Sequence, residues 1–191
     1  MSYALAEHDR MIAAMLIPCV VVGVDLAAGM VRVQSGEWIS AWVRWHSQAA
    51  GKARHWRAPS MGEQGALLSP SGVAGVGTFV PGLYGNAGAQ PDNRDHVEVW
   101  RFDDGGSLIY DWEANSYTID LPAGTATIKV GASVFEVTPE HVRVVSSTIA
   151  LVGEVLVDGP VTINGTLATT GDINSAGQVI DAGGNTPNHK H

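Results

Sequence analysis

Residues 128–163 read IKVGASVFEVTPEHVRVVSSTIALVGEVLVDGPVTI, and the apolar residues in this stretch come in pairs: Ile128/Val130, Phe135/Val137, Val142/Val144, Ile149/Leu151, Val155/Val157 and Val161/Ile163. Each pair is spaced i, i+2, which places both side chains on one face of a strand. The pairs recur about every six or seven residues with Gly, Pro, Ser or Asp between them, the pattern of stacked strands each too short to bury a face alone. A single-chain β-helix needs a rung of roughly twenty residues, so about 75 residues would supply only three or four uncapped rungs. Three chains wound about one axis need only one short strand per face from each chain. The spacing therefore predicts an intertwined trimeric β-helix, with Lys129, Glu136, Arg143, Glu154 and Asp158 on the outside. A lone chain would expose strand edges and an apolar face.

The sequence ends Asn188-His189-Lys190-His191. His189 and His191 are also spaced i, i+2, so in a strand both imidazoles can face one centre. Two ligands are too few to hold a transition metal. Three chains meeting at their ends would bring six imidazole nitrogens, enough for an octahedral iron-type site. The competing expectation is a frayed tail that binds nothing.

Upstream, composition changes. All six tryptophans (Trp38, Trp42, Trp45, Trp56, Trp100, Trp112) lie within the first 112 residues. We expect a short helix over residues 3–16, then strands at 20–24, 30–33, 38–45, 65–69 and 78–83 separated by turn residues. Five strands in this length predict a small, nearly closed barrel of the OB type. Residues 86–93, rich in Gly, Pro, Asn and Gln, mark a linker. Beyond it a meander is expected at 97–102, 107–112 and 117–121, turning at Asp103-Asp104-Gly105-Gly106 and Asn115-Ser116. The division that follows is a helical segment (1–17), an OB-fold domain (18–90), a β-meander or neck (91–122), and the trimeric β-helix with its apex (123–191). The fold class is all-β.

Composition narrows the function. The formal net charge is −8, which argues against a surface built for phosphate backbones. Trp42, Trp45, Trp56, Arg44, Arg54 and Arg57 could supply stacking and charge for single-stranded nucleic acid on an OB-fold. The alternative is that these aromatics fill the barrel or cover it against a partner, and the acidic balance favours that reading. Cys19 has no partner for an intrachain disulfide. Residues 11–24 are apolar, but Glu7 and Asp9 dilute the positive start, Pro18 interrupts the run and the length falls short of the ~20 residues a bilayer span needs. No signal peptide is expected.

An enzyme reading finds no site. A metalloenzyme that starts from His-x-His needs further ligands downstream. Asp103/Asp104 or Glu63 could be paired carboxylates for glycoside hydrolysis, but Asp103-Asp104-Gly105-Gly106 reads as a hairpin turn. His46, His55, His96 and His141 stand without a nucleophile or acid at recognisable spacing.

The residues Val24-Asp25, Val31-Arg32-Val33-Gln34-Ser35-Gly36, Trp42, Trp45, Ala50-Gly51, Arg54, Trp56, Pro59-Ser60-Met61-Gly62-Glu63-Gln64 and Gly82-Leu83-Tyr84, followed by Phe102-Asp103-Asp104-Gly105, Ile109-Tyr110-Asp111 and His189-Lys190-His191, resemble in this order the phage baseplate assembly protein V family. That family supplies the central tail spike of P2-like contractile phages. The resemblance implies a homotrimer located in the virion tail baseplate and made in the host cytoplasm. Its OB-fold would seat against baseplate hub and tail tube proteins, and its β-helix would taper to a tip that breaches the bacterial outer membrane. It also implies one iron ion per trimer, held at the apex by His189 and His191 of each chain, with other axial ions possible. The role would be structural, with no catalysis and no nucleic-acid partner. Tailocins and related secretion apparatus share these features and remain the alternative. One departure stands out: Gly65 follows the Gly-Glu-Gln motif where an aliphatic residue is expected, which would weaken that strand.

Overall fold

A computed structural model describes residues 3–180 of the chain. The described residues fall in two compact units, one within 3–127 with 136–142 and one within 128–135 with 143–180. In the first, helix α1 (Tyr3–Ala13) leads into β1 (Leu16–Asp25), β2 (Met30–Ser35), β3 (Trp38–Ile39), β4 (Val43–Trp45), β5 (Gln64–Leu68) and β6 (Thr78–Leu83). The strand order β1-β5-β6-β4-β2, with a further β1–β2 pairing, closes a five-stranded barrel, and β3 adds to β2. The expected helix is three residues shorter at its end. The first strand begins earlier than expected, at Leu16, and carries Pro18. That proline is tolerated because β1 pairs β5 from Leu16 to Val20 but meets β2 only from Val20 onward, so Pro18 has one neighbour.

The core follows the two-residue alternation of the strands. Cys19 and Val21 from β1, Val31 and Val33 from β2, Val43 from β4, Leu67 from β5 and Phe79 from β6 are buried together. Burial pushes the Cys19 thiol up, so it behaves as a small apolar side chain.

The single strand expected over residues 38–45 is two. Ser40, 1% exposed, accepts the Val33 N–H on its hydroxyl at 3.0 Å, donates to the Ala41 carbonyl at 2.7 Å, and thereby replaces a ladder bond with a side-chain bond. Trp42 is thereby turned outward. Its ring lies 5.8 Å from the Arg32 guanidinium carbon and close over Gly23, where β1 bulges against β2.

Gly65 corrects the expectation of a weakened strand. A Cβ there would lie 2.3 Å from the Val80 carbonyl oxygen and 2.5 Å from Phe79 Cε2, so the glycine is what admits the fully buried Phe79 ring. Across the barrel rim Arg57 and Glu63 form a two-pronged ion pair at 2.6 and 2.9 Å, and the Ser60 N–H donates to the same carboxylate. Burial pushes the Glu63 carboxyl up, but Arg57 and the Ser60 N–H outweigh it and leave the carboxyl below the usual range. Because the folded carboxyl is the stronger acid, its stabilisation is present above the unfolded value of ~4.3 and is lost as pH falls through that region. Glu63→Gln is expected to destabilise the barrel by about 1 kcal/mol at pH 7, the guanidinium being half exposed, and by less at pH 3. Urea titrations at the two pH values check this.

A separate antiparallel sheet follows: β7 (Val97–Arg101), β8 (Ser107–Asp111) and β9 (Ser116–Asp120), in that order. Asp104 accepts the Gly106 N–H at 2.9 Å in the β7–β8 turn, where Gly105 has a φ of 88°. A third sheet holds β10 (Ala126–Val130), β11 (Ser133–Val137) and β12 (Val142–Val145). The expected pairs up to Val144 therefore fall in strands. The later pairs do not: residues 146–180 form no strand.

Candidate functional site

What residues 146–180 leave unfinished defines the candidate site. Ile149, Leu151, Val155, Val157, Val161, Ile163, Leu167, Ile173 and Val179 are each more than half exposed, with no ladder beside them among the described residues. Burying one such side chain contributes roughly 1.5–3 kcal/mol, and this segment forgoes that for all of them. Gly153, Gly159, Gly165, Gly171 and Gly177 are spaced by a strict six residues, and an apolar residue follows each by two: Val155, Val161, Leu167, Ile173 and Val179. The φ values of 130° at Gly153 and 147° at Gly159 suit a chain that turns at each repeat, and an added Cβ at any of the five glycines would meet no atom within 4 Å. The period expected from the apolar pairs, six or seven, is thus sharpened by the glycines. That signal was legible in the sequence.

The apex residues His189 and His191 lie outside the described residues, so no geometry is assigned to them. Among the described residues no group of three His, Cys, Asp or Glu side chains is arranged to hold a metal ion. Against the expectation of an isolated histidine, the His96 ring lies 3.1 Å from Asp95, 3.3 Å from Glu113 and 4.0 Å from Asp111. Arg94 bridges Asp92 at 2.8 Å and Asp111 at 3.2 Å. The Arg94 guanidinium holds the Asp92 carboxyl far below the usual range, and the Asp111 carboxyl is also lowered, chiefly by the Ala114 N–H. This clasp ties the segment before β7 to the turn after β8. Its residues come from positions 92–96 ahead of β7 and from the end of β8 and the turn after it, so no local motif announced it. His141 is held by Thr138 at 3.1 Å and lies 3.4 Å from Glu136.

The residues considered for nucleic acid or for glycoside hydrolysis are engaged otherwise or apart. Arg57 and Glu63 are committed to each other, and Asp104 to its turn. Trp45 and Trp56 meet edge to face with centroids 5.4 Å apart, while Trp42 sits with Arg32. Arg44 and Arg54 are exposed.

Two family models match the chain. The Type VI secretion system/phage-baseplate injector OB domain covers residues 17–84, the barrel. The Gp138 beta helical trimerization domain covers residues 98–175, from the meander through the repeat. Over 130 residues the sequence is 33% identical to the Spike protein of Escherichia phage P2.

Together the two matches give an injector-type OB domain followed by a β-helical trimerization domain.

The alignment with that spike protein covers 68% of this chain and 60% of the relative, so the chain spans about three fifths of the relative's length. Most of the unpaired repeat lies in the stretch matched to a trimerization domain, which supports a homotrimer. No helix among the described residues is long and apolar enough to cross a membrane.

Proposed function

We propose that this chain is the central spike of a contractile phage tail baseplate, assembled as a homotrimer that breaches the bacterial outer membrane when the sheath contracts. The observation that carries the reading is the repeat over residues 146–180, apolar and without a ladder among the described residues, most of it in the segment 98–175 matched to a β-helical trimerization domain. The task is mechanical. A shaft that transmits force must not shear, and strands shared between chains spread the load over interchain backbone bonds and a common apolar interior.

In this reading the barrel faces the baseplate hub and tail tube, and the apex reaches the membrane. His189 and His191 of each chain hold one iron ion there. The donor chemistry fits: six neutral imidazoles suit an iron-type ion, and the chain offers them without a competing thiolate. A shared ion would join the three chains at these histidines and oppose fraying there. Similarity to a phage spike favours the tail over a secretion apparatus, although the barrel's family description covers both.

His189→Ala with His191→Ala tests the metal assignment. Elemental analysis should show iron near one per three chains in the unaltered protein and none in the double variant, with the trimer retained in both. Since imidazole coordinates only when neutral, iron should leave as pH falls below the unperturbed histidine value of ~6.5, the midpoint being lowered by the metal's own affinity. Retention of stoichiometric iron in the double variant, or at strongly acid pH, would refute this assignment.

A further inference from the structure

The β7–β8–β9 sheet has two unlike faces. Cross-strand pairing makes one row of Trp100, Leu108 and Ile119 and a second of Glu98, Tyr110 and Tyr117, and both rows lie on the same face. Trp100 is 50% exposed, Tyr117 62% and Ile119 56%. The Tyr110 and Tyr117 rings stand 6.3 Å apart, and the Trp100 indole N–H donates to Glu98 at 3.1 Å, so the face can be covered without stranding that donor. The opposite face carries Val97, Val99 and Ile109, all half-buried, with Asp111 engaged by Arg94 and His96. That opposite face also carries the exposed Arg101, Ser116, Thr118 and Asp120, so the large exposed apolar side chains gather on the aromatic face and leave it open.

The repeat poses a problem that this face can solve. Strands that repeat every six residues can pair nearly as well after a slip of one repeat, so apolar burial there does not by itself fix the register of three chains. A non-repeating contact must. The aromatic face precedes the repeat in sequence and lies within the segment matched to a trimerization domain. Its one charged group is Glu98, which gives it no complement to a phosphate backbone or an anionic membrane.

We propose that the Trp100–Leu108–Ile119 row packs against the same row of two other copies of this chain, forming a collar that sets the axial register of the repeating shaft. The inference rests on the trimeric spike reading. It adds that trimer specificity resides in the collar, not in the repeat.

The test uses the full chain with two neighbouring substitutions on β9 that point to opposite faces. Ile119→Lys should reduce recovery of homogeneous trimer on refolding from urea by at least about tenfold, and Thr118→Lys should leave it within about twofold, with near-ultraviolet circular dichroism confirming a folded barrel in each. Hydroxyl-radical footprinting of the unaltered trimer provides a readout that needs no variant. Trp100 and Tyr117 should be protected relative to the urea-dissociated chain, and Ile119→Lys should lift that protection. If the protein is trimeric by native mass and Trp100 and Tyr117 are oxidised as fast as in the dissociated chain, the collar is wrong while the spike reading stands. A monomeric native mass would overturn both. Equal losses from Thr118→Lys and Ile119→Lys would also overturn the collar.

Discussion

Deleting residues 159–164, one whole repeat, is expected to leave a trimer that melts cooperatively, whereas deleting only residues 159–161 is expected to destroy the shaft beyond the cut. The six-residue deletion keeps Gly153 in phase with Gly165 and keeps Leu167, Ile173 and Val179 on the face shared by the repeats before it. The three-residue deletion is odd in number. It reverses the in-and-out alternation of every later residue and places those three side chains outward. Nine apolar side chains per trimer lose their burial, a cost on the order of 20 kcal/mol at roughly 1.5–3 kcal/mol each. The paired deletions separate phase from length, because the larger deletion is predicted to be the milder one. Native mass and thermal melting of both give the comparison. Equal damage from both would mean that the six-residue spacing has no structural role.

Gly65→Val is expected to be the most damaging single substitution in the barrel. The β-carbon alone would meet the Val80 carbonyl and the Phe79 ring at 2.3 and 2.5 Å, and neither can yield: Val80 lies in β6, paired to β5, and Phe79 is fully buried among Val, Leu and Cys side chains. Overpacking of this kind costs about 3 kcal/mol or more, which for a domain of this size lowers the melting temperature by on the order of 15 °C. Gly51→Ala supplies the contrast. Nothing lies within 4 Å of its added carbon, so its effect should stay within about 0.5 kcal/mol. Urea unfolding followed by tryptophan fluorescence measures both.

How far the sequence could be read depended on the range of the interactions. The β1–β2 hairpin, β6 and the meander were legible because alternation and turn residues are local signals. The break between β3 and β4 was not, since it depends on Ser40 reaching Val33 across the hairpin. Gly65 looked like a defect for the same reason: its cause is Phe79, brought alongside when β5 pairs with β6. His96 seemed solitary until folding set Asp111 and Glu113 beside it. The later apolar pairs were expected as short strands that one chain cannot satisfy; in the chain by itself residues 146–180 form no strand. The aromatic face of β7–β9 was hidden in plain alternation. Trp100, Leu108, Tyr110, Tyr117 and Ile119 fall on one side only once the pairing register is known.

Native mass spectrometry combined with metal analysis of the purified full chain tests the central claim most directly. The account predicts a species of three times the 20.0 kDa chain mass carrying about one iron. A monomer that binds single-stranded DNA would contradict it.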